Sequence, residues 1–159
     1  MRLNIYEVKE RYASNIYKAA FSIVRDHFDA EDVLQETLIS YLHEKKEFDS
    51  DEHIKAWLLK TAINKAKNIR LSFWKRNRVS LETYMENIPF AQPQDRDLFA
   101  ALMKLPESNR IVLHLFYYEG YSVKEISNIL RISEGTVKSR MARGKEKLRK
   151  RITEEWEDE

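Results

Sequence analysis

Cysteine, proline and glycine are scarce in this chain of 159 residues. It has no cysteine, three prolines and three glycines, and every glycine lies after residue 119. Because tight hairpin turns depend on glycine and proline, a hairpin-rich β fold is disfavoured, and no glycine-rich phosphate loop fits in the first 119 residues. Disulfides and thiolate metal sites require cysteine, so both are excluded. The default expectation is an all-α protein.

Long apolar runs and catalytic patterns are also missing. No run of about 18 apolar residues and no secretory signal pattern occurs, so we expect a cytoplasmic protein without membrane insertion. The histidines at 27, 43, 53 and 114 have no metal-ligand spacing, and there is no Gly-x-Ser-x-Gly turn. We therefore expect no enzymatic activity, no cofactor and no metal.

The charges that are present are strongly segregated along the chain. Residues 26–52 carry a net charge of −8, residues 53–78 carry +8, and residues 121–153 carry +7. Two basic blocks indicate two contacts with polyanions, and the acidic block indicates a basic partner. Solvated helix faces are the alternative explanation of each block.

Apolar periodicity divides the chain into two helical parts. Residues 4–25, 29–42 and 53–73 repeat apolar side chains every three or four positions, with Asp29 as the expected cap of the second helix and Leu42 on its inner face. The period is lost over 75–97, and a second unit is expected from about Leu98. The predicted domains are 1–78 and 98–153, with a linker at 79–97 and an acidic tail at 154–159.

The second unit contains a helix-turn-helix pattern. Ser122 and Glu125 form a capping box before a short helix, Gly120 is placed to end the preceding helix, and Ser133 can cap a helix running to about Ile152. The outer face of this last helix has donors for phosphates and guanine edges: Lys138, Ser139, Arg140, Arg143 and Lys145. A helical hairpin with a solvated basic face is the alternative.

The third helix of the first unit has a narrow polar face formed by Lys60, Asn64 and Lys67. Trp57 projects toward it, and an aromatic ring among cations, with an amide beside them, suits single-stranded or melted nucleic acid. Packing of Trp57 against a neighbouring helix remains the alternative.

The second helix has an acidic outer face. Ile39 lies among Asp32, Gln35 and Glu36, and an apolar side chain ringed by polar groups is typical of a protein–protein contact. A single exposed isoleucine is also common on protein surfaces, so that alternative stays open.

Four motifs in order resemble the sigma-70 family, specifically the small extracytoplasmic-function (ECF) type that keeps only domains two and four. They are Asp-Ala-Glu-Asp-Val-Leu-Gln-Glu at 29–36, Ile-Lys-Ala-Trp-Leu-Leu-Lys-Thr-Ala-Ile-Asn at 54–64, Leu-Pro-Glu at 105–107 and Glu-Gly-Thr-Val-Lys-Ser-Arg-Met-Ala-Arg at 134–143. The resemblance implies two small helical domains, a region 2 bundle and a region 4 helix-turn-helix, joined by a flexible linker.

The resemblance also implies roles for individual residues. Those expected to bind the clamp helices of the largest subunit of core RNA polymerase are Asp32, Gln35, Glu36 and Ile39. Those expected at the melted −10 element, where Asn64 would contact an unpaired base, are Trp57, Lys60, Asn64, Lys67, Arg70 and Arg76. Those expected at the −35 duplex are Lys124, Ser133, Thr136, Lys138, Ser139, Arg140, Arg143 and Lys145.

The sequence thus predicts a sigma factor that docks on core polymerase and recognises promoter DNA. The family is typically held inactive by an anti-sigma factor, so such a partner is expected. A stand-alone helix-turn-helix regulator, such as a repressor, is one alternative, although binding to duplex DNA needs neither the acidic face nor the Asn64 face. An adaptor or structural protein with incidental basic helices is the other.

Overall fold

Helices make up the regular secondary structure in the computed structural model, which describes residues 1–72 and 93–157. No strand occurs among these residues, which confirms the all-α expectation. The chain divides into two compact units, Met1–Ile88 and Pro89–Glu159. Phe73, Arg76, most of the predicted linker and the last two residues of the acidic tail lie outside the described residues, and the predicted domain bounds stay predictions.

The first unit is a bundle of three helices, α1 (Ile5–Val24), α2 (His27–His43) and α3 (Asp51–Ser72). Each helix packs against the other two. The Tyr41 hydroxyl donates a hydrogen bond to the Leu3 carbonyl at 2.6 Å, which ties the chain before α1 to α2. The largest fully buried side chains of this core are Ile16, Tyr41, Phe48, Ile54, Leu58, Leu59 and Ile63.

The start of α2 differs from the expectation that Asp29 caps it. The cap is Asp26, whose carboxylate accepts a hydrogen bond from the Asp29 amide at 2.8 Å. Arg25, in the left-handed conformation, ends α1 immediately before it. The prediction of Asp29 was wrong because two aspartates stand three residues apart, and either can accept from the first turn of a helix.

Two further helices also begin earlier than expected. The helix α3 begins at Asp51 rather than near His53, because the Ser50 hydroxyl accepts a hydrogen bond from the His53 amide at 3.1 Å. The first helix of the second unit begins at Pro93 rather than near Leu98. Proline lacks an amide hydrogen and has a helix-compatible φ, so it starts a helix without loss of a hydrogen bond.

Leu42 was expected on the inner face of α2, and that placement is wrong. Its side chain is 56% exposed, whereas Leu38 and Tyr41 are buried. At about 100° per residue, Leu42 lies one step beyond Tyr41 and past the edge of the buried side.

The second unit contains α4 (Pro93–Met103), α5 (Glu107–Leu113), α6 (Val123–Leu130) and α7 (Glu134–Glu157). The helix α5 continues into a π-helical turn over His114–Tyr118, where the Glu119 amide donates to the His114 carbonyl at 3.1 Å. Gly120 follows with φ of +77°, so the prediction of a left-handed glycine at this point is confirmed. Buried side chains of this core include Leu102, Leu105, Ile111, Val112, Leu115, Ile126, Val137 and Met141.

Gly144 is the point of close approach between α5 and α7. It is buried, and a Cβ atom placed on it would lie 2.5 Å from Leu113 Cδ1 and 3.2 Å from Asn109 Cβ. Leu113 is itself fully buried, so its side chain has little room to move away. Only glycine therefore allows α7 to seat against α5 without rearrangement.

Substitution of Gly144 and of Gly135 by alanine should have effects of opposite sign. In a helix interior, alanine is favoured over glycine by about 1 kcal/mol, but overpacking a core costs about 1–3 kcal/mol. We expect Gly144→Ala to lower the free energy of unfolding by about 1 kcal/mol. Gly135→Ala should raise it, since the nearest atom to the added Cβ is Ser133 Oγ at 3.9 Å. Urea unfolding of both variants is the measurement, and equal stabilisation by both would contradict the close contact.

Candidate docking and nucleic-acid surfaces

The helix α2 presents an exposed acidic face. The four side chains predicted to form a protein contact are all solvent-exposed: Asp32, Gln35, Glu36 and Ile39. They share one side of the helix, opposite the buried side chains of Thr37 and Tyr41. The side chain of Ile39 is 52% exposed at the centre of this group, which is the arrangement expected of an apolar centre with a polar rim.

Two exposed apolar residues lengthen this face beyond the predicted set. Phe28 is 65% exposed and, with Leu42, lies on the same side of α2 as Ile39. From Phe28 to Leu42 the helix rises by about 21 Å. Sequence reasoning missed Phe28 because the helix was expected to start at Asp29, and it missed Leu42 by placing it inward. We call the six residues Phe28, Asp32, Gln35, Glu36, Ile39 and Leu42 the docking face.

Phe28, the first residue of the docking face, is linked to α1 through His27. The Tyr17 hydroxyl lies 2.5 Å from His27 Nδ1, and the His27 ring packs edge-on against Phe28 with centroids 5.5 Å apart. Burial raises the pKa of the Tyr17 phenol far above its usual value, and the carboxylates of Glu31 and Asp26 add to the rise. The phenol therefore stays protonated, and its hydrogen bond with the His27 ring joins α1 to the residue that precedes Phe28.

One ion pair joins the docking face to α3. Lys65 Nζ lies 4.0 Å from Glu36 Oε2, and the Glu36 side chain remains 58% exposed. An exposed pair at this distance contributes between about 0 and 1 kcal/mol to stability. Glu36 is therefore open to a cationic group of a partner, and its loss should not unfold the bundle.

The polar face of α3 turns away from the core, as the sequence predicts. Asn64 is exposed, and Lys60, Lys67 and Arg70 are half-buried, whereas Ala62 and Ala66 are fully buried. This helix and the residues that follow it to position 78 include only two acidic residues, Asp51 and Glu52, both in its first turn. The face therefore combines cations with the outward amide of Asn64 and suits a polyanion.

Trp57 packs within the first unit. Its indole makes edge-to-face contacts with Tyr41 and Phe48, at centroid distances of 6.2 and 5.9 Å. The packing alternative raised for this residue is therefore confirmed. The indole is still half-buried rather than fully buried, so contact with a nucleic-acid base at its exposed edge stays a prediction.

The helix-turn-helix of the second unit is held by caps at both helix starts. Ser122 and Glu125 make the predicted capping box of α6. Ser133 Oγ accepts from the Thr136 amide at 3.1 Å and lies 2.8 Å from Thr136 Oγ1, which confirms it as the cap of α7. The hydroxyls of Ser133 and Thr136 thus bind each other, and their first role is to begin the helix.

The remaining predicted −35 residues follow the outer side of α7 and its flank. Ser139 and Arg143 lie opposite the buried Val137 and Met141, with Lys138 exposed beside them, while Arg140 is half-buried. Lys145 Nζ lies 5.7 Å from the ring centroids of both Phe116 and Tyr117, and Lys124 is exposed in the first turn of α6. The centre of the outward side of α7 is therefore Ser139 and Arg143, whereas Lys145 lies beside the rings of Phe116 and Tyr117 and Lys124 belongs to α6.

Residues 1–72 and 93–157 contain neither a membrane-spanning helix nor a cluster of side chains that could hold a metal ion. Within them, no helix has both the length and the apolar composition needed to cross a membrane. In the same part of the chain, no group of three acidic, histidine or cysteine side chains is placed to hold a metal ion.

The described residues form a helical protein of two units, one with an acidic surface beside a cationic one and the other with a helix-turn-helix. Two family profiles match it: "Sigma-70 region 2" over residues 8–79 and "Sigma-70, region 4" over residues 95–148. The ECF RNA polymerase sigma factor SigX of Bacillus subtilis is 30% identical over 156 residues, covering 90% of this chain and 80% of SigX. SigL of Mycobacterium tuberculosis, also an ECF RNA polymerase sigma factor, is 34% identical over 140 residues, with 83% of this chain and 79% of SigL covered.

Solved structures share the same fold. The sigma factor RpoE of Bartonella quintana, in complex with the anti-sigma factor NepR, matches with a TM-score of 0.67 and 22% identity over 93% of this chain and 96% of RpoE. CnrH, in complex with the cytosolic domain of CnrY, matches with a TM-score of 0.66 and 24% identity over 94% of this chain and 87% of CnrH.

The chain belongs to the sigma-70 family and is an RNA polymerase sigma factor of the ECF type. It binds core RNA polymerase and directs promoter-specific initiation of transcription. Nothing in these comparisons supports a stand-alone regulator.

Proposed function

We propose that the three surfaces divide the work of initiation. The docking face of α2 binds the clamp helices of the largest polymerase subunit, the polar face of α3 holds the melted −10 strand, and the outer side of α7 recognises the −35 duplex. The chain carries out no chemistry of its own, and it acts in the cytoplasm, where core polymerase meets the genome.

The observation that carries this proposal is the pairing of opposite surfaces on adjacent helices. An exposed apolar line with carboxylates on α2 lies beside a cationic helix, α3, and the two are joined by the Glu36–Lys65 pair. A protein that only binds duplex DNA has no use for the acidic surface, which repels phosphates. A surface of this kind fits a basic protein partner held next to a nucleic-acid strand.

An anti-sigma factor is the third proposed partner. One structural neighbour, RpoE, is in complex with the anti-sigma factor NepR, which supports the proposal that a partner of this kind holds the present chain inactive. The exposed apolar side chains of Phe28, Ile39 and Leu42 give such a partner a surface to cover.

Arg143→Ala tests the assignment of α7 to the −35 duplex. The probe is a duplex enriched from a randomised pool by the wild-type chain bound to core polymerase. A lost base contact costs about 1–3 kcal/mol, so we expect affinity for the enriched duplex to fall by about 5- to 150-fold, with a much smaller loss for unrelated duplexes.

Arg149→Ala is the matched control. Arg149 is an exposed arginine on the same helix and forms an ion pair with Glu146, so its removal changes the net charge equally. We expect it to weaken binding of all duplexes slightly and without preference. Equal effects of the two substitutions would contradict the role of Arg143.

A further inference from the structure

A buried amide links α5 to the helix proposed to recognise duplex DNA. Asn109 is 3% exposed. Its Nδ2 donates to the backbone carbonyl of Arg140 at 3.2 Å, and its Oδ1 accepts from Lys147 Nζ at 3.2 Å. A carbonyl can only accept and an ammonium can only donate, so its two neighbours determine the orientation of the amide.

The geometry of α7 explains why one small side chain reaches both groups. Helix carbonyls point toward the C-terminus and side chains lean toward the N-terminus, so the Arg140 carbonyl and the Lys147 side chain converge from opposite directions. They meet at the level of Gly144, whose missing side chain leaves the space that Asn109 and Leu113 occupy. The amide therefore engages α7 where α5 lies closest to it.

From this arrangement we infer that Asn109 is a positioning residue that sets the rotation and register of α7 for recognition of the −35 duplex. The inference rests on the proposed role of α7. Rotation about the α7 axis is what decides whether Ser139 and Arg143 face the groove, and recognition contacts require placement within about 0.5 Å. Asn109 makes no contact with DNA in this account and acts only through the helix it holds.

Asn109→Asp removes the hydrogen bond to the Arg140 carbonyl and keeps the one from Lys147. Aspartate keeps the volume and an acceptor for Lys147, but it loses the donor and places a carboxylate oxygen against the Arg140 carbonyl. Position 109 lies in the first turn of α5, where a negative charge is favoured by the helix dipole, so the variant should still fold. Lys147→Met is the second variant, since it removes only the other hydrogen bond from an exposed position.

The readout is the ratio of the affinity for the enriched duplex to the affinity for duplexes that differ from it by one base pair. Full-length variants bound to core polymerase are titrated with the enriched duplex and with its single-base-pair changes in the −35 element. A partly unfolded population weakens binding of every duplex by the same factor, so loss of folding alone leaves the ratio unchanged. A shifted helix lowers the ratio, because base contacts are lost while phosphate contacts persist.

We expect Asn109→Asp to lower this ratio by about tenfold, the effect of losing one good base contact, and Lys147→Met to lower it by a smaller factor. Binding of a single-stranded −10 oligonucleotide should not change. A wild-type ratio for both variants would overturn the inference. If Arg143→Ala also left the ratio unchanged, the proposed role of α7 would fail instead, so the two failures are distinguishable.

Discussion

Replacing Glu36 with lysine is expected to weaken binding of the chain to core RNA polymerase by about 100-fold. A like charge placed against a basic partner surface costs several kcal/mol, and about 2.7 kcal/mol corresponds to this factor. The substitution also replaces the Glu36–Lys65 ion pair, in which the charged groups are 4.0 Å apart, with two lysines side by side. Because the site is exposed, the free energy of unfolding should fall by no more than about 1 kcal/mol.

Glu10→Lys is the matched control for this result. Glu10 is exposed on α1, so its replacement produces the same change in net charge away from the docking face. Binding is measured by titrating labelled chain with core polymerase, and folding by urea unfolding of each variant. Comparable affinities for the Glu36 and Glu10 variants would show that α2 is not the docking helix.

Replacing Asn64 with alanine is expected to reduce binding of the melted −10 strand by about 10-fold or more, within the range measured when one base contact is lost. The Asn64 side chain is exposed, so no core contact is lost, and alanine favours the helix. The loss should therefore appear in strand binding and in open-complex formation, with no loss of stability. Binding is measured with single-stranded −10 oligonucleotides on the assembled holoenzyme.

Asn128→Ala provides the control for the amide. Asn128 is an exposed asparagine on α6 in the second unit, and the single-stranded probe carries no −35 duplex. Strand binding should therefore stay at the wild-type level in this variant. An Asn64→Ala protein that binds the single strand as tightly as Asn128→Ala does would contradict the base contact assigned to Asn64.

Local hydrogen-bonding patterns were the part of the fold that could be predicted most closely. The capping box of Ser122 and Glu125, the cap at Ser133 and the left-handed Gly120 all follow from residue type and short spacing. The same logic gave Asp29 as the cap of α2, whereas the structure uses Asp26; two equivalent acceptors stand close together and local rules do not rank them. Which aspartate caps α2 depends on where α1 ends, and that end depends on packing.

Contacts between helices could not be predicted from periodicity. A period distinguishes the two sides of a helix but does not show which neighbour approaches closely, so nothing in the pattern marks Gly144 as a point of contact between helices. Its role depends on Leu113 and Asn109, which lie more than 30 residues earlier in the chain. The edge of a face is equally uncertain, which is why Leu42 was placed on the wrong side of α2.

The candidate surfaces were predicted well where charge and exposure coincide. Glu36 and Asn64 lie where helix geometry places them, on outward faces of α2 and α3. Trp57 was harder, because an amphipathic aromatic ring serves equally in a core and against a base. Phe28 was missed because it precedes the expected cap Asp29, so an error of three residues in the position of the cap shortened the docking face.

The acidic and basic blocks of the first unit also contribute to its architecture. The charge segregation of the sequence places carboxylates on α2 and cations on α3, and these two helices pack together. The Glu36–Lys65 ion pair joins the two surfaces that we assign to polymerase and to the melted strand. Neighbouring helices thus present surfaces of opposite charge.

Transcription by core RNA polymerase with and without this chain tests the central claim most directly. The template is a pool of duplexes with randomised upstream sequence, and the 5′ ends of the transcripts are mapped. We predict new start sites that share two upstream elements separated by about two duplex turns, and their loss with Glu36→Lys. An unchanged set of start sites when the wild-type chain is added would contradict a sigma factor that docks through α2.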